Sequence, residues 1–223
     1  VFHVSLSVSN ASDATRAVAL DQVIAACPGF GGACPRGESG ILNCRHKAFL
    51  KAVDGPVREV TYEVFERVHV ERDGLEWAVF NDPLTDNLLC VVVPGGHCVL
   101  RTEYHWWLEW RREVRLGPGE SVSVDFHYGC APSVDLPLVA NEHILAGIRG
   151  EMTPLDAPSR PRLRVFGMDT ASGGSGASVS VDHKTLVDGK PLPEVREPVE
   201  VELPEWRGEG ERLIEVSVAG RYG

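Results

Sequence analysis

The stretch EYHWWLEWRREVRLGPGESVSVDFHY, residues 103–128, decides the fold class of this chain. Apolar and polar residues alternate on both sides of the turn sequence GPG at 117–119, and a period of two is typical of β-strands. We therefore predict a hairpin of two central strands. Successive side chains of a strand point to opposite faces, so Trp107 should lie on the polar face with Arg111. The residues predicted to be buried on the other face are Trp106, Trp110, Val124 and Phe126.

Alternation recurs along the rest of the chain. Residues 2–9 and 57–72 each show it, the second as one long strand that carries Glu59, Glu63 and Glu71 on its polar face. The Ala-rich segment from Ser12 or Asp13 to Ala26 lacks Gly and Pro and predicts a helix. We also expect a short helical turn at 46–53. The predicted fold is all-β: a single domain over residues 1–223, built as a disulfide-bonded two-sheet β-sandwich with one or two short peripheral helices.

Composition and charge narrow the class of protein. The chain has 223 residues, 43% of them hydrophobic, and its charge is 22 − 32 = −10. Such a surface repels phosphate backbones and anionic lipids, so nucleic acids and membranes are poor partners. Nine acids against three bases lie between Asp54 and Asp86. That excess would steer a basic protein, although a solvated sheet face is the simpler interpretation.

Six cysteines indicate an oxidising compartment. An even number allows three disulfides, but six cysteines permit many pairings and the sequence does not choose among them. The sequon Asn10-Ala11-Ser12 predicts N-glycosylation, and an opening at Val1 without a basic-then-apolar leader is what a signal-cleaved protein shows. We therefore expect a secreted, extracellular protein. The cysteines are Cys27, Cys34, Cys44, Cys90, Cys98 and Cys130.

Motifs of catalysis and of cofactor binding are missing from the sequence. It has no Gly-x-Ser-x-Gly elbow, no phosphate loop and no dinucleotide fingerprint. Its eight histidines form no metalloprotease pair, and the cysteine spacings are not those of a zinc ribbon. We therefore predict no enzymatic activity, no cofactor and no metal. Carboxylate pairs for glycoside hydrolysis stay open, because their separation is set by the fold.

One cluster favours binding. Trp107 and Trp110 stand three residues apart beside Arg111, and aromatic and Arg residues are enriched at binding hot spots. Both tryptophans could instead be core residues. Combined with the acidic strand, the cluster predicts a ligand-binding set of Glu59, Tyr62, Glu63, Glu71, Trp107 and Arg111.

The order Trp-x-x-Trp followed by a basic residue resembles the Trp-Ser-x-Trp-Ser box of haematopoietic cytokine receptors. Leu108 and Arg111 replace its serines. Together with six cysteines, acidity and strand content, the segment 107–130 resembles the secreted poxvirus immune-evasion family, whose members include chemokine-binding and cytokine-binding proteins. The dense acidic run of the chemokine binders is missing here.

That resemblance implies a β-sandwich that sequesters a host chemokine or cytokine. The alternatives are a secreted carbohydrate-active or carbohydrate-binding protein, and a structural or adhesion domain. The sequence leaves the oligomeric state open.

Overall fold

The computed structural model describes residues 2–26, 47–61, 68–82, 86–102, 106–150, 161–167, 176–192, 197–205 and 212–219. These residues form antiparallel β-structure and contain no helix. The strands are β1 (Phe2–Ser9), β2 (Arg16–Ala26), β3 (Lys47–Ala52), β4 (Arg58–Thr61), β5 (His69–Asp73), β6 (Leu75–Asp82), β7 (Asn87–Val92), β8 (His97–Thr102), β9 (Trp106–Leu116), β10 (Ser121–Ala131), β11 (Leu136–Ala140), β12 (Ile144–Arg149), β13 (Arg162–Gly167), β14 (Gly176–Val181), β15 (Lys184–Pro191), β16 (Val199–Glu202) and β17 (Ile214–Ala219).

The described strands form four sheets, where the sequence predicted two. Sheet I has the order β1-β10-β7-β6-β3-β4, and sheet II the order β2-β9-β8-β5. Sheet III has the order β11-β12-β13-β16, and sheet IV the order β15-β14-β17. The all-β class is therefore confirmed, with an architecture consistent with sandwich packing.

Three apolar clusters hold the sheets in layers. The first lies between sheets I and II and contains Trp110 and Phe126, whose rings meet edge to face with centroids 5.0 Å apart. The second lies between sheets III and IV. The third joins the outer face of sheet I to sheet III through side chains such as Phe49, Leu145 and Phe166. Sheets I and II thus form a first sandwich, and sheets III and IV form a second. The two sandwiches pack against each other through sheets I and III, because sheet I buries apolar residues on both of its faces.

A polar network accompanies the third cluster. The Asp86 carboxylate, in the turn before β7, accepts hydrogen bonds from the backbone N–H and the hydroxyl of Ser133 at 3.1 and 2.6 Å. Ser133 is fully buried, and its hydroxyl also accepts a bond from Arg149 of β12. The Arg164 guanidinium of β13 donates to the Ser133 carbonyl at 2.9 Å. These bonds link a turn of sheet I to two strands of sheet III.

The four aromatic and aliphatic residues predicted to be buried in the segment 103–128 are confirmed as core. Trp106, Trp110, Val124 and Phe126 are each at most 2% exposed. The predicted hairpin pairing is wrong, because β9 belongs to sheet II and β10 to sheet I. The turn at 117–119 carries the chain from one sheet to the other, so the two apolar faces pack across the core.

The predicted helix from residue 12 or 13 to 26 is wrong, since β2 occupies Arg16–Ala26 and pairs with β9 along its whole length. Val18, Leu20, Ile24 and Ala26 alternate along its inner face, but alanines fill much of the outer face and imitate a helical composition. All eleven residues of β2 pair with β9, and this pairing outweighs the helix propensity of the alanines. Residues 47–52, inside the second predicted helical turn, form β3.

The predicted long strand 57–72 is also wrong. Its described parts are β4, at the margin of sheet I, and β5, at the margin of sheet II. A strand pattern in sequence does not specify which sheet each half joins.

Cys90, Cys98 and Cys130 are free thiols, so the prediction that every cysteine is disulfide-bonded is wrong at these three residues. Cys90 lies opposite Gly129 and Cys130 opposite Leu89, so the two cysteines are one step apart on adjacent strands and face opposite sides of sheet I. Cys98 lies on β8 of sheet II and is buried within the first cluster. Cys27, Cys34 and Cys44 lie outside the described residues.

Candidate binding surface

The outer face of sheet II brings together most of the described residues that the sequence singled out. Odd-numbered residues of β9 point away from the core, because Trp106, Leu108 and Trp110 fill the inner face. Across the four strands the face presents three rows: Ala25, Trp107, Arg101 and His69; Val23, Glu109, Val99 and Glu71; Asp21, Arg111, His97 and Asp73. None of these residues is buried, so the face is open to solvent.

Trp107 is the aromatic centre of this face. It is half-buried and lies directly opposite Arg101 on one side and Ala25 on the other. Its predicted position, opposite to that of the neighbouring core tryptophans, is confirmed. Val23 is 50% exposed in the next row, so an aromatic and an aliphatic side chain both reach solvent here. Such a pair can supply apolar contact area to a ligand.

Charged residues surround that apolar centre, and each acid of the face lies against a base. The Arg101 guanidinium pairs with the Glu109 carboxylate. On β5, His69 lies 3.0 Å from Glu71, and the His97 ring nitrogen lies 2.8 Å from Asp73. These pairs are partly or fully exposed, so each contributes little to the free energy of unfolding. They leave the charges accessible to a charged ligand.

Arg111 lies in the third row, where the sequence analysis expected a binding residue. Its guanidinium is 3.8 Å from Asp21 on the neighbouring strand and 3.3 Å from Glu113 on its own. Arg111, Trp107 and Glu71 therefore share one face, and the structure brings these three predicted site residues together.

Glu59 lies elsewhere. It stands on β4 of sheet I, opposite Phe49, and its carboxylate is 2.7 Å from the Lys47 ammonium. Glu59 and Glu71 consequently cannot form the single acidic face that the sequence predicted. Tyr62 and Glu63 lie outside the described residues.

Several residues of this face are not predicted by the sequence pattern. Glu109 could have been found, because the alternation of β9 places it on the same side as Trp107. Asp73, His97 and Arg101 could not, since they reach Trp107 and Arg111 only through the pairing of β5 and β8 with β9. Register across strands is a tertiary property.

Asn10, the predicted glycosylation site, is 6% exposed. Its side-chain amide nitrogen donates to the carbonyls of Ala14, Leu116 and Gly117 at 2.8, 2.9 and 3.0 Å. Its side-chain oxygen accepts bonds from the backbone and hydroxyl of Ser12. A glycan on that nitrogen would displace these bonds, because the amide has only two hydrogens to share among its acceptors.

The described residues contain no group of three or more His, Cys, Asp or Glu side chains that could hold a metal ion. Within the same ranges, no helix has the length and hydropathy needed to cross a membrane. No protein-family model, curated protein or solved structure matches this chain.

Proposed function

We propose that this chain is a secreted protein that binds another protein through the outer face of sheet II, and that its ligand is a basic host chemokine or cytokine. Capture would block the ligand's receptor-binding surface, as a viral decoy does. The observation that carries the proposal is the open face itself: Trp107 and Val23 offer apolar contact, and charged residues surround them.

Charge favours a basic ligand. The three rows of the face hold four carboxylates (Asp21, Glu71, Asp73, Glu109) and two guanidinium groups, a charge of 2 − 4 = −2 with neutral histidines. The whole chain has a charge of −10. Both would steer a cationic protein and raise its association rate, while buried anchors such as Trp107 would set the dissociation rate.

The face also argues against a glycoside hydrolase site. A glycoside hydrolase needs two carboxylates across a cleft. The carboxylates on this face instead pair with neighbouring bases on one open surface. The secreted location and the viral origin rest on the family resemblance and remain parts of the proposal.

Binding kinetics with a panel of immobilised chemokines and cytokines test the proposal. For the cognate ligand, we expect Glu71→Lys with Asp73→Lys to slow association about tenfold at low salt, with a smaller effect at high salt. Trp107→Ala should speed dissociation about tenfold or more, as loss of a central aromatic anchor does.

The matched control is Glu59→Lys with Glu202→Lys, which makes the same change in net charge at two exposed acids outside the face. It should leave both rates nearly unchanged. The proposal is wrong if no panel member binds or if the two double reversals act equally. Glycan binding that Trp107→Ala abolishes would support the carbohydrate alternative instead.

A further inference from the structure

The strands at the sheet margins differ in how they are protected. An exposed edge offers unpaired N–H and C=O groups to other strands, and proteins block such edges with charges, prolines or bulges. Seven of the eight described marginal strands carry at least one of these devices: β2 has Arg16 and Asp21, β4 has Arg58 and Glu59, β5 has Glu71 and Asp73, β11 has Pro137 and a bulge, β15 has Lys184 and Pro191, β16 has Glu200 and Glu202, and β17 has Glu215.

β1 is the exception. Its sequence FHVSLSVS contains no Asp, Glu, Lys, Arg or Pro. It pairs with β10 from Phe2 to Ser9 without a register shift, so no bulge turns its free edge away. Among the described residues no strand pairs with that edge. β1 is therefore a regular, uncharged edge of eight residues, with His3 as its one ionisable side chain.

The inner face of β1 is also incompletely covered. Val4 and Leu6 pack against the first core cluster but stay partly exposed. Their cross-strand partners on β10, Phe126 and Val124, are 0% and 2% exposed. Phe2, at the end of β1, is 55% exposed and stacks against Tyr128. One more strand beside β1 would complete this apolar layer.

A second copy of β1 fits that position. In an antiparallel arrangement centred on Ser5, Val4 lies opposite Leu6 of the other copy, Phe2 opposite Val8, and His3 opposite Ser7. Directly opposed residues of antiparallel strands share a face, so apolar meets apolar and polar meets polar. No like charges meet. Every other marginal strand described would bring charged groups, a proline or bulges to the pairing.

We propose that two copies of this protein associate through β1 into a two-fold symmetric dimer whose sheet I is continuous across both copies. The interface is isologous, as in most homodimers. It is short, so the dimer forms and dissociates reversibly with protein concentration. The proposal uses no residue of the outer face of sheet II and is therefore independent of the proposed function.

Sedimentation velocity of the full chain over a concentration series tests the dimer. We expect the wild type to shift from monomer to dimer as concentration rises. Ser5→Lys with Ser7→Lys should raise the dimer dissociation constant about tenfold or more, because the ammonium group introduced at position 5 of each copy then faces its symmetry mate. The control Ser121→Lys with Ser123→Lys places the same charges on the same face of β10, one strand away from the edge, and should still dimerise.

Hydrogen exchange of the wild type gives a second readout that needs no variant. The amides of β1 that point to the free edge should become protected as concentration rises, while the amides of β4 at the opposite margin should not. A wild type that is monomeric throughout contradicts the proposal. So does a dimer that both double variants preserve. Protection of β1 only after another protein is added would mean that a foreign strand, and not a second copy, pairs with this edge.

Discussion

Asn10 has a structural role that its sequence motif does not predict. As a sequon residue it predicts an exposed glycan, yet its buried side chain joins the β1–β2 corner to the turn that follows β9. The backbone reinforces this junction, since the Asn10 N–H donates to the Glu120 carbonyl and the Gly119 N–H donates to the Asn10 carbonyl. Asn10 thus connects two of the places where the chain passes between sheets I and II.

We expect Asn10→Ala to lower the free energy of unfolding by about 2–4 kcal/mol, because it removes the donor for three carbonyls in and around a buried site. Ser12→Ala destroys the same sequon but removes only the hydroxyl's bonds, and should cost about 0.5–1.5 kcal/mol. Urea denaturation measures both. The intact mass of the protein made in a secretory host should show no glycan at Asn10. Full occupancy there, or equal losses in the two variants, would contradict this role.

The thiols can be distinguished by reactivity. Burial first, and then the nearby Asp73 carboxylate, raise the pKa of the Cys98 thiol to about 12, and burial raises the pKa of Cys90 far above its ordinary value. Both thiols stay protonated near pH 8, and the thiolate is the reactive form. Cys130 is exposed.

Alkylation of the native protein at about pH 8, followed by peptide mass spectrometry, should therefore label Cys130 and leave Cys90 and Cys98 unlabelled until the protein is denatured. Cys130 serves as the internal control for reagent activity. A disulfide found at any of these three residues would contradict the arrangement and restore the disulfide framework expected from the cysteine count.

At the scale of elements, β9 connects the core to the candidate surface. Its inner residues Trp106, Leu108 and Trp110 pack in the first cluster, and its outer residues carry Trp107 and Arg111. Trp110 is held by a hydrogen bond from its indole N–H to the Gly95 carbonyl. The next residue, Gly96, has a φ of +103°. A Cβ at position 96 would lie 2.7 Å from the Trp110 indole nitrogen, so only glycine fits this turn. The packing that fixes Trp110 therefore also fixes the pleat on which Trp107 faces solvent.

At the scale of the whole molecule, the question is whether the two stacked sandwiches unfold together. Phe166 is 3% exposed and belongs to the third cluster, from the side of sheet III. All four tryptophans that the structure describes (Trp77, Trp106, Trp107 and Trp110) lie in sheets I and II. The fifth tryptophan, Trp206, lies outside the described residues and is replaced by Phe in every protein compared in the experiment. Tryptophan fluorescence then reports on sheets I and II, while far-UV circular dichroism reports on the whole chain.

If the third cluster makes the chain one cooperative unit, Phe166→Ala should lower the free energy of unfolding by about 3–5 kcal/mol. Both signals should then shift to the same lower urea midpoint. Phe126→Ala, in the first cluster, is the matched control and should shift both signals in the same way. A fluorescence midpoint that Phe166→Ala leaves in place would mean that the sandwiches unfold separately, contrary to the single domain expected from the sequence.

The sequence alone was sufficient where a local pattern decides the outcome. Alternation with a period of two identified the all-β class, the buried face of 103–128 and the outward position of Trp107, because strand side chains alternate whatever the strand pairs with. It failed at β2, where alanines on the outer face hide the same alternation beneath a helical composition.

Only the tertiary structure decided which strands share a sheet. The turn at 117–119 and the segment between β4 and β5 each connect strands of sheets I and II, so Glu59 and Glu71 are separated while Asp73, His97 and Arg111 share one row. The tertiary structure also decided the relation between Cys90 and Cys130. These residues lie on adjacent strands, but their thiols face opposite sides of sheet I. Pairing partner and register depend on contacts between residues far apart in the chain, and no local pattern encodes them.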